Sequence, residues 1–271
     1  MSVALEHPSE LFEIASRTDP GLVREANEDH CATFVSDDCA GLVVADGVSS
    51  FHGGDTASRL AVQVTLEAFL DDEKSTPTAK RLYRAVQRAN IEVHNLALVV
   101  PELRSMATTL TAVVLTPGAL FAAHIGDCRL YLLRRERLVQ LSKDHTVSAE
   151  RMRLGILSKA RARTHPARST LTRSLGRELI ARVDQFRTPI VGQDVLMVCS
   201  DGIHGVLDDT ELQRLCLAPS AELACQALIE AANERGSPDN ITAAVARVSG
   251  ALPEERGTSF FGALNRRLRR G

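Results

Sequence analysis

The stretch "GLVVADGVSSFHGGDTAS", residues 41–58, decides how the rest of the chain is read. Its apolar run, 41–45, reads as a buried strand and stops at Asp46-Gly47. From Asp55 the apolar positions Ala57, Leu60, Ala61, Val64, Ala68 and Phe69 recur at helical spacing, with Asp55 placed to cap the helix. A strand that ends in a carboxylate and a glycine raises the question of what the carboxylate faces. "CATFV", 31–35, reads as a preceding strand joined by the acidic turn "SDDCA".

Outward from this stretch, a second helix is expected over about 78–99, with Leu82, Val86, Val93 and Leu96 on one face. Short strands follow at 108–115, 120–125, 129–133 and 138–141, separated by "TPG", "GD" and "RRER". A strand at 195–200, helices near 209–216 and 220–234, and a strand at 241–248 complete the pattern. Helices paired between antiparallel strands predict an α+β layered domain, not a parallel βαβ sheet. A domain over 12–249 is expected, with a basic tail at 250–271 holding "NRRLRR".

The 271 residues are 44% apolar and 24% charged, with a formal net charge of -2, so no bulk attraction to nucleic acid is implied. Trp is absent and Tyr scarce, which disfavours base-stacking platforms. The six cysteines form no CxxC and most sit in apolar segments, as small core residues of a reducing compartment do. The N-terminus lacks a secretory pattern, and no window approaches the roughly 18 apolar residues of a membrane span. The expectation is a cytoplasmic monomer.

Asp46, Asp127, Asp201 and Asp239 all sit where apolar strands meet loops, and Glu28-Asp29 precedes strand 31–35. One Asp-Gly pair is an ordinary turn. Five such places in one chain bring anions together that need cations to offset their repulsion. An all-oxygen set suits Mg²⁺ or Mn²⁺ better than Zn²⁺. Two such ions about 3.5–4 Å apart are a device for hydrolysing phosphate esters. Arg24, four residues before Glu28, offers a fork for the remaining phosphate oxygens.

In this order "GLVREANEDH", "VVADGVSS…GGDTAS", "MATTLTAVVL", "AHIGDCRLYLLR", "LSKDHT", "HPARSTLTRSLG", "LMVCSDGI" and "SPDNIT" resemble the metal-dependent protein serine/threonine phosphatases of the PP2C (PPM) family, in its compact bacterial form. The likeness runs from about residue 14 to 248. It implies a four-layer αββα sandwich, two antiparallel sheets flanked by helix pairs, with a small flap at about 146–177. It implies hydrolysis of phosphoserine and phosphothreonine in proteins by water activated at a dinuclear Mn/Mg centre, with no phosphoenzyme. Asp46 would bridge two ions and the Gly47 carbonyl would bind one. Glu28 would serve the second ion, and Asp201 and Asp239 the first. Asp127 with Asp201 would hold a third, weaker ion, and Arg24 would grip the phosphate. Asp29 would support the ligands from behind, and Asn240 would shape the loop. The implied partners are phosphorylated proteins and a cognate serine/threonine kinase.

Three positions depart from the family pattern. Val48 stands where the animal enzymes carry a histidine, so no general acid is assigned. His52 is displaced by one residue from the bacterial pattern, and Cys128 replaces a usual serine. The flap region holds Arg151, Arg153, Lys159, Arg161, Arg163, Arg168, Arg173 and Arg177, with Glu150 its only acid. Such one-signed charge would draw in phosphorylated segments, with Arg161 and Arg163 as the residues to reverse. Ser158 matches a third-ion ligand region too loosely to be assigned. A catalytically dead phosphoprotein-binding regulator is one alternative, but such relatives lose their carboxylates. An anti-anti-sigma factor phosphatase of a stress pathway is another.

Overall fold

The computed structural model describes residues 8–48 and 53–250. His52 and the basic tail beyond Gly250 lie outside the described residues. The chain opens with a short helix α1 (Pro8–Leu11) and strands β1 (Phe12–Asp19), β2 (Asp29–Val35) and β3 (Ala40–Val48). Helices α2 (Gly54–Asp71) and α3 (Thr78–Val99) follow, then β4 (Ala107–Thr108), β5 (Leu110–Thr116), β6 (Ala119–Ile125), β7 (Arg129–Arg134) and β8 (Arg137–Gln140). Next come α4 (Val147–Arg153), α5 (Lys159–Arg163), β9 (Asp184–Pro189) and β10 (Val195–Cys199). The chain closes with α6 (Asp201–His204), α7 (Asp209–Cys216), α8 (Ala221–Glu234) and β11 (Ile241–Val248).

Two antiparallel sheets result, ordered β1-β11-β10-β7-β8 and β2-β3-β5-β6-β9, with β4 attached to the far end of β3. Strand β3 shows why 41–45 is apolar without alternation. Leu42 and Val44 enter the core between the sheets, with Leu130, Leu132, Leu196 and Ala244. Val43 and Ala45 point the other way, into a core shared with Phe69, Leu82, Val86 and Val93 of α2 and α3. Successive strand residues face opposite sides, and here both sides are covered. A third core packs Tyr131, Met197 and Val245 against Leu212, Cys216 and Leu228 of α7 and α8. The layers are therefore helix, sheet, sheet, helix, as the α+β reading anticipated.

The structure corrects three local readings. The strand does not stop at Asp46. It runs on to Val48 and exchanges partners, pairing with β5 up to Val44 and with β4 at Gly47 and Val48. Asp55 is not the cap of α2; that place belongs to Gly53, whose φ of 105° a side chain would strain. Asp55 lies in the first turn, where its charge still suits the helix dipole. Asp201 does not open a loop but begins the one-turn helix α6. Strands β1 and β9 were not read from the sequence. Both are edge strands, half-exposed and polar, so neither shows an apolar run.

The segment 146–177 leaves the body after β8 and carries α4 and α5. Its base is pinned by bridges Thr146↔Leu171 and Thr108↔Leu175. Among the described residues no helix is long and apolar enough to cross a membrane.

Candidate metal centre

Asp29 opens β2 and stands directly across from Asp46 in the antiparallel register of β2 and β3. Like charges so placed repel. Burial, and then the charges of Asp29, Asp201, Asp127 and Asp239, push the Asp46 carboxyl well above the usual carboxylate range. Burial, then Asp201 and Asp144, does the same to Asp127. Asp201 is raised to about 6, by burial and Asp239, although Arg168 and Arg24 pull it down. Asp29 is raised to about 7, chiefly by burial, against hydrogen bonds from Ser200 and Thr242. Acids from five separate segments thus share one neighbourhood, at one end of both sheets.

The loop before β2 is held there by one residue from the far end of the chain. The Asn240 side chain donates to the carbonyls of Pro20 and Ala26, both at 2.9 Å. Its Oδ1 accepts from the Glu28 amide at 2.8 Å. Arg24 then reaches Asp239, with Nη2 2.9 Å from Oδ2, and Nε 3.3 Å from the Pro238 carbonyl. Arg24 is thereby set at the rim of the acidic cluster, half-exposed.

Asp46 is fixed through its backbone. Its amide donates to Thr109 Oγ1 at 2.9 Å, and its carbonyl accepts from the Thr109 amide and the Thr108 hydroxyl, each at 2.9 Å. Gly47 donates to the Glu28 carbonyl at 3.0 Å. A Cβ on Gly47 would sit 2.2 Å from the Gly54 carbonyl oxygen, so the backbone approach there requires glycine. Asp127 is fixed from two sides. His204 Nε2 donates to its carbonyl at 3.0 Å, and His145 Nδ1 accepts from the preceding Gly126 amide at 3.1 Å. Burial and the nearby Arg129 depress His204 to about 3, so it remains a neutral donor. The Cys128 thiol, 3.1 Å from Thr109 Oγ1, is pushed far up by burial and by the Asp46 and Asp29 charges.

Thr108, Thr109, His145, His204 and Gly54 were not singled out from the sequence. The threonines and His145 lie inside stretches quoted for the family likeness, but nothing in their spacing announces what they hold. His204 is one turn from Asp201 on a helix that the sequence pattern did not reveal.

The donor set fits hard divalent cations. Every candidate ligand is an oxygen, and the buried Asp29 Oδ2 has no hydrogen-bond partner. Among the described residues no three His, Cys, Asp or Glu side chains are grouped so as to hold a metal ion by themselves. Mg²⁺-like ions keep several waters and are bound through one or two carboxylates each, so an open cluster of this kind accommodates them.

Comparison with known proteins gives the chain its relatives. Residues 23–220 match the family model described as protein phosphatase 2C. The serine/threonine phosphatase Stp of Listeria monocytogenes is 36% identical over 236 residues, covering 83% of this chain and 92% of the relative. The Mycobacterium tuberculosis phosphatase PstP is 36% identical over 235 residues, covering 86% of this chain but 44% of the longer relative. A crystal structure of that mycobacterial phosphatase superposes with a TM-score of 0.80 at 32% identity, covering 88% of this chain and 99% of the other. A structure of a PstP catalytic domain in complex with two manganese ions gives 0.78 at 31% identity, covering 88% and 99%. A chain with this fold, this spacing of acids and these relatives is a protein phosphatase, and it belongs to the protein phosphatase 2C family.

Proposed function

We propose that this chain hydrolyses phosphoserine and phosphothreonine in proteins, at a centre that binds two Mn²⁺ or Mg²⁺ ions and a weaker third. One observation carries the reading: six acids, Glu28, Asp29, Asp46, Asp127, Asp201 and Asp239, crowd one end of the sandwich with Arg24 as the guanidinium at their rim. When bound, the ions would lower the pKa of a water between them and hold the phosphoryl oxygens for in-line attack.

The chain's own residues divide the remaining work. Asp46 and Gly47 lie on the rigid end of β3; the Asp46 carboxylate would serve both ions and the Gly47 carbonyl one. Glu28 would serve one ion, and Asp201 and Asp239 the other. Asp127 with Asp201 would hold the third. Asp29, behind Asp46, would supply charge that keeps the site attractive to cations. Arg24 would leave Asp239 for the phosphate, since a guanidinium binds two phosphoryl oxygens at once. No side chain is assigned as general acid, because Val48 occupies the position of the animal-type histidine. A kinase that writes the same phosphoserine and phosphothreonine marks is the expected opposing partner. The dead-regulator alternative is disfavoured because Asp46, Asp201 and Asp239 are all retained.

The test is hydrolysis of a phosphothreonine peptide by wild type and Asp201→Asn, with and without manganese. Release of phosphate by wild type alone, and only with metal, is expected. Equal release by both proteins, or release in chelator, overturns the reading. Phosphoproteomics of a strain lacking the gene against one carrying Asp201→Asn would then name the targets.

A further inference from the structure

Between the flap and the body lies a cleft of about 620 Å³. Its walls come from α4 and α5 on one side and from β7, β8, α6 and α7 on the other. Asp127 and Asp201 line it, whereas Asp46, Asp239 and Arg24 do not. The cleft therefore adjoins the candidate metal centre, sharing two of its acids, rather than containing it. Asp201 feels both Arg24, at the rim of the centre, and Arg168, which lines the cleft.

The charges that line the cleft are not equivalent. Its remaining acids are already engaged. Asp144 is clasped by Arg129 with contacts from 2.7 to 3.1 Å. Asp208 caps α7 by accepting from the amides of Thr210 and Glu211. Asp209 takes Lys159 at 3.2 Å and Arg163 at 3.9 Å. Those two flap cations are thus committed to the body, and Arg161, expected from sequence to matter alongside Arg163, does not line the cleft. Arg153 leans on Glu150 at 3.9 Å. Two cations make no direct ion pair: among the described residues neither Lys143 nor Arg168 has an ion-pair partner, although Arg168 is near enough to act on Asp201 through space. Lys143 sits where the chain enters the flap and Arg168 where it returns. Ala149 and Met152 on one wall and Val206 and Leu207 on the other give the cleft apolar surface, which suits the backbone and apolar stems of an extended peptide.

We infer that this cleft is a subsite for an acidic residue flanking the phosphorylated residue of the substrate, read by Lys143 and Arg168. The inference rests on the phosphatase reading above. An extended segment seated there would place a carboxylate between the two cations while its phosphate stays with Arg24. Because both cations are solvent-accessible, the preference is modest and sensitive to salt.

The experiment uses the full chain with manganese and a set of phosphothreonine peptides, in which a single Glu replaces Gln at each flanking position in turn. We expect one flanking position at which Glu raises kcat/KM about fivefold over Gln at low salt. That ratio should fall toward one at high salt, and the Lys143→Gln/Arg168→Gln protein should treat the two peptides alike. Arg168→Glu should invert the ratio when Lys replaces Glu in the favoured peptide. Because each comparison is between two peptides on one protein, a general loss of turnover cancels. A wild type indifferent to Glu at every position, or a double variant that keeps the preference, overturns the subsite. Failure of every peptide to be cleaved by wild type, with manganese present, instead sinks the phosphatase reading and the subsite with it.

Discussion

Gly54→Ala separates the ion site from the fold more cleanly than removal of any ligand. Gly54 is the first residue of α2, and its backbone is compatible with any L-residue. An added Cβ would stand 2.6 Å from Cδ and Oε1 of Glu28 and 2.8 Å from Oε2. Ordinary contact begins at 3.4 Å, so the carboxylate must retreat by about 0.8 Å. The atoms that yield are the end of a flexible side chain, and alanine favours a helix over glycine by up to about 1 kcal/mol. Stability should therefore hold, with a melting temperature in chelator within a few degrees of wild type. Misplacing a group by about 1 Å at a reacting centre costs on the order of 10²-fold in rate. We expect calorimetric titration to show one weakened manganese site, and kcat/KM on a phosphothreonine peptide to fall ten- to a hundredfold, roughly. Gly47→Ala is the contrast, because its Cβ would meet the Gly54 and Glu28 carbonyl oxygens, which cannot move aside. Wild-type manganese binding and turnover in Gly54→Ala would refute the assignment of Glu28 as a ligand.

Four further outcomes are expected. Arg24→Ala should raise KM for phosphopeptide about tenfold or more, and Arg24→Lys should recover only part of it, because an ammonium lacks the bidentate fork; an unchanged KM would remove Arg24 from the phosphate. Asn240→Ala forfeits three hydrogen bonds to the loop at 20–28 and should lose about 2–3 kcal/mol in urea unfolding, with activity lost alongside. Asp29 and Asp201, raised to about 7 and about 6, keep protons in the fold that the unfolded chain sheds near its ordinary carboxyl value, so their contribution to stability falls as pH climbs through that window. Buried His124 and His204 act oppositely on acidification but equally with or without metal, so the gain in melting temperature on adding manganese to chelated protein should grow from acidic to neutral pH; a constant gain would contradict the coupled cluster. Cys128→Ser should leave turnover within about twofold, because the serine hydroxyl can keep the bond to Thr109 and moves no ligand; a collapse in activity would show that the site needs the larger sulfur atom.

The central strands and long helices were legible because they bury whole faces. The apolar runs at 41–45 and 195–199 and the helical stripe of α2 can be read without any partner in view. The acids were legible because carboxylates at strand ends are costly unless something offsets them. What escaped was whatever depends on a neighbour's position. The exchange of partners at Asp46 is made by Thr108 and Thr109, whose side chains look like ordinary β-strand threonines. His204 does its work on a backbone carbonyl 77 residues away. The flap's charge was visible as a list, but the sorting of Lys159 and Arg163 onto Asp209 required the fold.

Strand β1 pairs with β11 along its whole length, from Phe12 opposite Val248 to Asp19 opposite Ile241, and Asn240 closes the loop that carries Arg24 and Glu28. The bond from the Glu28 amide to Asn240 joins positions 212 residues apart, and contacts of such separation form slowly. A chain cut before β11 would lack both the strand that pairs with β1 and the Asn240 clasp, so the loop that carries Arg24 and Glu28 would be left unfastened.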